Sequence, residues 1–223
     1  MIKHCRIRMR YASGRQNKSC TNNWNRINLY NISAQLDTSM TTSNGFFKSA
    51  AFILLLNAAN SAYSACPPAL DYYKRPLTGE QPVHLCDVMG GKVVLVVNTA
   101  SQCAYTPQYD GLEKLYDRYR ARGLIVAGFP SNDFAGQEPG TEKQIQDFCR
   151  LTYAVQFPMF EKVRVKGVSA DPFYQQLARV TGEQPRWNFH KYLLDRDGRV
   201  VASFPSQVTP EDKRLVDRIE ELL

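Results

Sequence analysis

The chain has only three histidines, His4, His84 and His190, and they lie far apart in the sequence. No Cys/His cluster with ligand spacing accompanies them, so no metal is expected. There is no C-x-x-C. The segment around Cys103 reads Cys103-Ala104-Tyr105-Thr106, which excludes a dithiol reductase. No glycine-rich phosphate cradle occurs, and no internal repeat is visible. Long hydrophobic runs are also lacking. The longest apolar block, residues 50–59, would span about 15 Å as a helix, half of a roughly 30 Å hydrocarbon core, so no transmembrane span is expected. Finally, the domain itself lacks a charge surplus. The net charge is +7, but residues 1–39 hold seven Lys/Arg against the single acid Asp37, and residues 40–65 add Lys48. From Cys66 onward 20 basic residues face 20 acidic ones, which leaves no electrostatic case for nucleic acid.

What is present divides into three parts. Residues 1–39 are rich in Asn, Arg and Ser without periodicity and read as a disordered or over-translated leader. Residues 40–65 have the layout of a signal peptide: Met40, a short segment with Lys48, the apolar block, then small residues before Cys66. Export to a periplasmic or secreted location follows. A lipoprotein anchor at Cys66 is a weaker alternative, because Tyr63 stands where leucine is usual. Residues 66–223 form the domain. In an oxidising compartment Cys66 and Cys86 are a possible structural disulfide.

The domain is organised around Lys92 to Pro107, KVVLVVNTASQCAYTP. Val93 to Val97 is an apolar β-branched run, the pattern of a strand buried on both faces. Pro107 suits the first turn of the amphipathic helix that follows. Cys103 therefore lies between a strand's C-terminal end and a helix N-terminus, where amide groups and the helix dipole favour an anion. From this segment alone it reads equally as a reactive thiol or as a small buried hydrophobe. Leu124 to Pro130 is a second buried strand, and Ser131 to Gly140 a polar loop. Thr141 caps a helix through Tyr153, with Ile145, Phe148 and Leu151 as its buried face. Phe157 to Val165 reads as a strand and Asp171 to Val180 as a helix. Trp187 to Leu194 and Val200 to Phe204 flank the hairpin signal Asp197-Gly198. Pro210 to Leu222 closes as a helix. The class is α/β, a sheet flanked by helices.

Three motifs, NTASQCAYTPQY, GFPSNDFAGQEPG and WNFHKYLLDRDGRVV, resemble the glutathione peroxidase family in its cysteine form, from about Leu77 to the C-terminus. The resemblance implies a thioredoxin-like fold with a central mixed sheet. It implies a thiol peroxidase that reduces hydrogen peroxide and organic hydroperoxides, with no cofactor. It places the catalytic set on Cys103, Gln137, Trp187 and Asn188, with Asn132 supporting and Cys149 as the resolving cysteine. The implied reductant is a thioredoxin-like protein or glutathione. Ala104 departs from the family's usual glycine, Ser131 from a frequent third cysteine, and Asp133 from a frequent glutamine. No extended assembly segment precedes Trp187, so a monomer is expected. A peroxide sensor that passes its disulfide to a partner protein would use the same Cys103 chemistry.

Overall fold

The computed structural model describes residues 66–223. The expected leader, residues 1–39, and the expected signal peptide, residues 40–65, lie outside the described residues. A short hairpin comes first, β1 (Tyr73–Lys74) against β2 (Val83–His84), followed by helix α1 (Leu85–Met89). These pieces are too short to show a period in the sequence. Cys66 and Cys86 are joined as a disulfide across them, with Cα atoms 5.8 Å apart.

The main sheet has four strands in the order β4 (Leu124–Pro130), β3 (Val93–Thr99), β5 (Lys191–Leu194), β6 (Val200–Phe204). β3 runs parallel to β4, with Val93 opposite Leu124, and antiparallel to β5, with Val94 opposite Leu194. Every residue of β3 and β4 is buried. Alternation along β3 splits the interior in two. Val93, Leu95 and Val97 face a core built with Leu112, Leu115, Ile145, Cys149, Leu215 and Ile219. Val94 and Val96 face the other core, with Leu85, Met89, Phe173 and Leu177. The first core is supplied by α2 (Gln108–Tyr119), α3 (Glu142–Tyr153) and α5 (Lys213–Leu222), the second by α1 and α4 (Pro172–Thr181). This is the mixed, helix-flanked sheet of the thioredoxin-like class.

The helices begin where the sequence sets them. Thr141 makes a capping box with Gln144, Asp171 caps α4, and Asp212 caps α5, which starts at Lys213, three residues later than the expected Pro210. Each cap satisfies an amide that has no partner inside the helix. The hairpin at Asp197-Gly198 forms, with Gly198 at φ 74°.

Three expectations are corrected. Phe157 to Val165 is not a strand. It forms only isolated bridges, Met159 with Gly128 of β4 and Phe160 with Pro76 after β1, besides a bond from the Val163 N–H to the Pro130 carbonyl at 2.9 Å. Pro158 has no N–H to give, and the Asp133 carboxylate draws off the amides of Val165 and Lys166 at 2.6 and 3.2 Å. Trp187 to His190 is not part of β5, because Phe189 takes a left-handed φ of 63° that a strand does not accommodate. Leu151 is exposed, and α3 instead buries Ile145 and Cys149, which are four residues apart on one face.

Candidate active site

Cys103 is half-buried in the turn between β3 and α2. Three bonds shape that turn. The Cys103 N–H donates to Thr106 Oγ1 at 3.0 Å, and the Thr106 hydroxyl donates to the Ala100 carbonyl at 2.9 Å. The Tyr105 N–H points at Cys103 Sγ at 3.4 Å. Below the turn, the buried Lys191 ammonium donates to Gln108 Oε1 and to the Val208 carbonyl, while Gln108 Nε2 donates to the Ser206 carbonyl at 2.7 Å. The first turn of α2 is thereby tied to β5 and to the loop after β6. Burial pushes the Lys191 ammonium down to about 7, with Glu211 opposing.

The polar loop after β4 joins this turn through its backbone, with the Gln102 N–H donating to the Gln137 carbonyl at 3.0 Å. The Gln137 side chain reaches the third motif, where Asn188 Nδ2 donates to Gln137 Oε1 at 2.9 Å. Trp187 packs its exposed ring on Phe134 of the same loop, ring centres 5.6 Å apart. The fold thus joins the Cys103 turn, Gln137, Trp187 and Asn188 into one connected group. Asn132 is exposed and works on the backbone, its Oδ1 accepting the Glu138 N–H at 2.8 Å. Cys149 lies inside α3, in the core against which Cys103 packs, and both thiols are free. Burial pushes the Cys149 thiol up to about 11, with Tyr109 opposing and Glu138 adding to the rise.

Three residues of the site escaped the sequence reading. Asn98, fully buried at the end of β3, holds the third motif in place. It accepts the His190 N–H on Oδ1 at 3.1 Å and donates from Nδ2 to the Trp187 carbonyl at 3.1 Å. Thr106 shapes the cysteine turn. Glu138 is fully buried beside Gln137. A polar residue closing an apolar run was the available signal for Asn98; nothing local marked the other two.

His84 is not isolated as the sequence suggested. Its Nε2 lies 2.9 Å from Asp71 Oδ1 and 3.8 Å from Cys66 Sγ, and these three form a potential metal-ligating group. Cys66 is spent in the disulfide, so the group offers two ligands rather than three.

The family model for glutathione peroxidase matches residues 70–178. The glutathione peroxidase of Lactococcus lactis subsp. cremoris is 47% identical over 137 residues, covering 60% of this chain and 86% of that protein. The chain belongs to the glutathione peroxidase family, in its cysteine form. The hydroperoxy fatty acid reductase of Synechocystis sp. is 43% identical over 176 residues, 74% of this chain and 98% of that protein. Among solved structures, Trgpx in apo form superposes with a TM-score of 0.55 at 32% identity, covering 69% of this chain and 94% of that one. As a member of this family the chain is a peroxidase, and no helix among the described residues is long and apolar enough to cross a membrane.

Proposed function

We propose that Cys103 is the peroxidatic nucleophile of a thiol peroxidase acting on hydrogen peroxide and on organic and lipid hydroperoxides. The observation that carries this reading is the linkage of the cysteine turn through Gln137 to Asn188. The Cys103 thiolate attacks one peroxide oxygen, and the O–O bond breaks. Cysteine becomes sulfenic acid, and the departing oxygen takes a proton to leave as water or alcohol. Gln137, Trp187 and Asn188 supply neutral hydrogen bonds to the developing charge without a permanent cation. Cys149 then resolves the sulfenic acid as an intramolecular disulfide, which a thioredoxin-like protein or glutathione reduces. Lipid hydroperoxides enter the proposal because of the similarity to a fatty acid hydroperoxide reductase. The test is peroxide consumption by wild type and Cys103→Ser, with thioredoxin or glutathione as reductant. Loss of turnover in the serine variant is expected, and retained turnover overturns the reading. Wild type that is oxidised by peroxide but turns over with neither reductant favours the sensor reading instead.

The same reading places the protein outside the cytosol, as a monomer. The Met40 to Ala65 pattern and the Cys66–Cys86 disulfide support export. A sulfur in a disulfide is not free to carry a lipid thioether, which weighs against anchoring at Cys66. Protein from the native host is expected to begin near Cys66, carry the disulfide and elute as a monomer. An intact leader on cytosolic protein overturns the export proposal.

A further inference from the structure

We propose that Glu138 is a positioning residue for the resolving step. Its buried carboxyl, set between the Cys103 loop and α3, keeps α3 folded over Cys149 while protonated and loosens it when ionised. The inference rests on the reading of Cys149 as the resolving cysteine.

The geometry is unusual for a carboxyl group. Glu138 is fully buried, and neither of its oxygens makes a full hydrogen bond, the hydroxyl and amide of Ser101 facing it without closing one. It lines a cleft of about 440 Å³ with Ser101 and Gln102 on the cysteine side and Gln144, Ile145 and Phe148 of α3 on the other. The groups facing it come from four segments: Ser101 before the cysteine turn, Lys162 after Pro158, Tyr109 of α2 and Cys149 of α3. None neutralises it. Lys162 spends its ammonium on the Gly140 carbonyl at 3.1 Å, and the hydroxyls of Ser101 and Tyr109 are themselves buried without partners. A carboxylate shut off from water and only weakly supported by Ser101 and Lys162 is costly, so the closed structure prefers the neutral acid. Burial pushes this carboxyl up to about 7, with Ser101 and Lys162 opposing.

The resolving step needs α3 open. The Cys149 sulfur attacks the Cys103 sulfenic sulfur, an S–S bond forms and the S–O bond breaks. The hydroxide leaves as water with the proton that the thiol gave up. Opening exposes Glu138, whose pKa then falls to about 4.3. The closed state holds the proton more tightly than the open one. Opening therefore becomes easier by about tenfold per pH unit from about pH 5 until the closed-state value near 7 is passed. The thiolate share of an exposed Cys149 adds another tenfold per unit up to about pH 8.5.

The experiment follows Cys103–Cys149 disulfide formation by rapid quench and mass spectrometry after one equivalent of peroxide, from about pH 5 to 8. Wild type should gain roughly a hundredfold per unit below about pH 7 and tenfold above it. Glu138→Gln, neutral at every pH, should gain only tenfold per unit throughout, and at pH 8 should run several hundredfold slower than wild type, roughly 500-fold. Glu138→Asp should keep the steep limb. The same steep limb in Glu138→Gln overturns the inference. Absence of the disulfide in wild type overturns the resolving role of Cys149 itself, and this inference with it. Should the glutamine variant not fold, wild type alone decides. Hydrogen-exchange protection of α3, corrected for intrinsic exchange, should fall about tenfold per unit between pH 5 and 7. Constant protection overturns the inference.

Discussion

Asn188 Nδ2 donates to Gln137 Oε1 at 2.9 Å, a bond between side chains 51 residues apart. The bond decides which end of the Gln137 amide is committed. Its oxygen is engaged, so its NH₂ is the end left to donate, and under the proposed mechanism it would donate toward the departing oxygen. A donor fixed in advance needs no reorganisation when charge develops, which is where such groups contribute most.

Gln137→Ala and Asn188→Ala should therefore both slow oxidation of Cys103, by about 10²-fold for the first. Asn188→Ala should approach the same loss, because a free Gln137 amide samples several orientations. Stopped-flow oxidation by hydrogen peroxide measures the rate, and far-UV circular dichroism checks the fold. A loss within threefold in Gln137→Ala would make that residue structural.

Thr106 ties the cysteine turn at both ends, accepting from the Cys103 N–H and donating to the Ala100 carbonyl. Thr106→Val keeps the shape and strands both groups, the Ala100 carbonyl in a buried position. Stability should fall by about 1–3 kcal/mol, the usual cost of an orphaned buried polar group. The rate of Cys103 oxidation should fall as well, since the Tyr105 N–H loses its fixed aim at the sulfur. Urea unfolding and stopped-flow oxidation check the two effects. An unchanged midpoint would show that water replaces the hydroxyl.

The sheet and helices were legible in the sequence because each carries a long local pattern. The uniform β-branched run of β3, the cap at Thr141 and the proline before α2 all report on neighbours close in the chain. The site was legible only through the three resembling motifs, since Gln137 and Asn188 meet across 51 residues. What failed has a physical cause in each case. Phe189 takes a positive φ because its N–H serves the Asn98 carbonyl at 2.7 Å, a tertiary bond that outweighs strand propensity. Leu151 looks buried by helical spacing, yet the face of α3 is set by where α2 and the sheet lie. Glu138 resembles any loop acid until its surroundings are known.

His190 gives a stability prediction with a definite sign. It is buried, with Nε2 2.9 Å from Ser203 Oγ. Burial pushes its imidazole down to about 4, with Glu183 opposing and Lys191 and Arg186 adding to the fall. The unfolded chain takes up the proton near 6.5, so between about pH 6.5 and 4 acid favours unfolding, by about 1.4 kcal/mol per unit. Glu138 acts oppositely over much of that window, because its folded value is raised and acid favours its folded form. The two slopes offset each other in wild type. His190→Asn should leave the Glu138 slope exposed, making the variant gain relative stability as pH falls from about 6.5 to 4.5. Urea unfolding at those two pH values measures it, and an unchanged difference from wild type would contradict the assignment.

Cys149 is 1% exposed, within the buried face of α3. A thiol pushed up to about 11 by burial is neither nucleophilic nor accessible at neutral pH. If Cys149 is the resolving cysteine, its sulfur has to leave this packed face to reach Cys103, so α3 is expected to unwind at least around this residue. Oxidation and helix structure are then coupled. One equivalent of peroxide should lower far-UV helicity and raise hydrogen exchange in α3 while a Cys103–Cys149 peptide appears in the mass spectrum. In Cys149→Ser the helix should stay intact after peroxide. Cys103 should stop at the sulfenic acid, trappable by a dimedone probe, and advance to the sulfinic acid with excess oxidant. Turnover with thioredoxin should fall sharply in that variant. Normal turnover would mean that an external thiol attacks Cys103 directly and that the buried cysteine is part of the core alone.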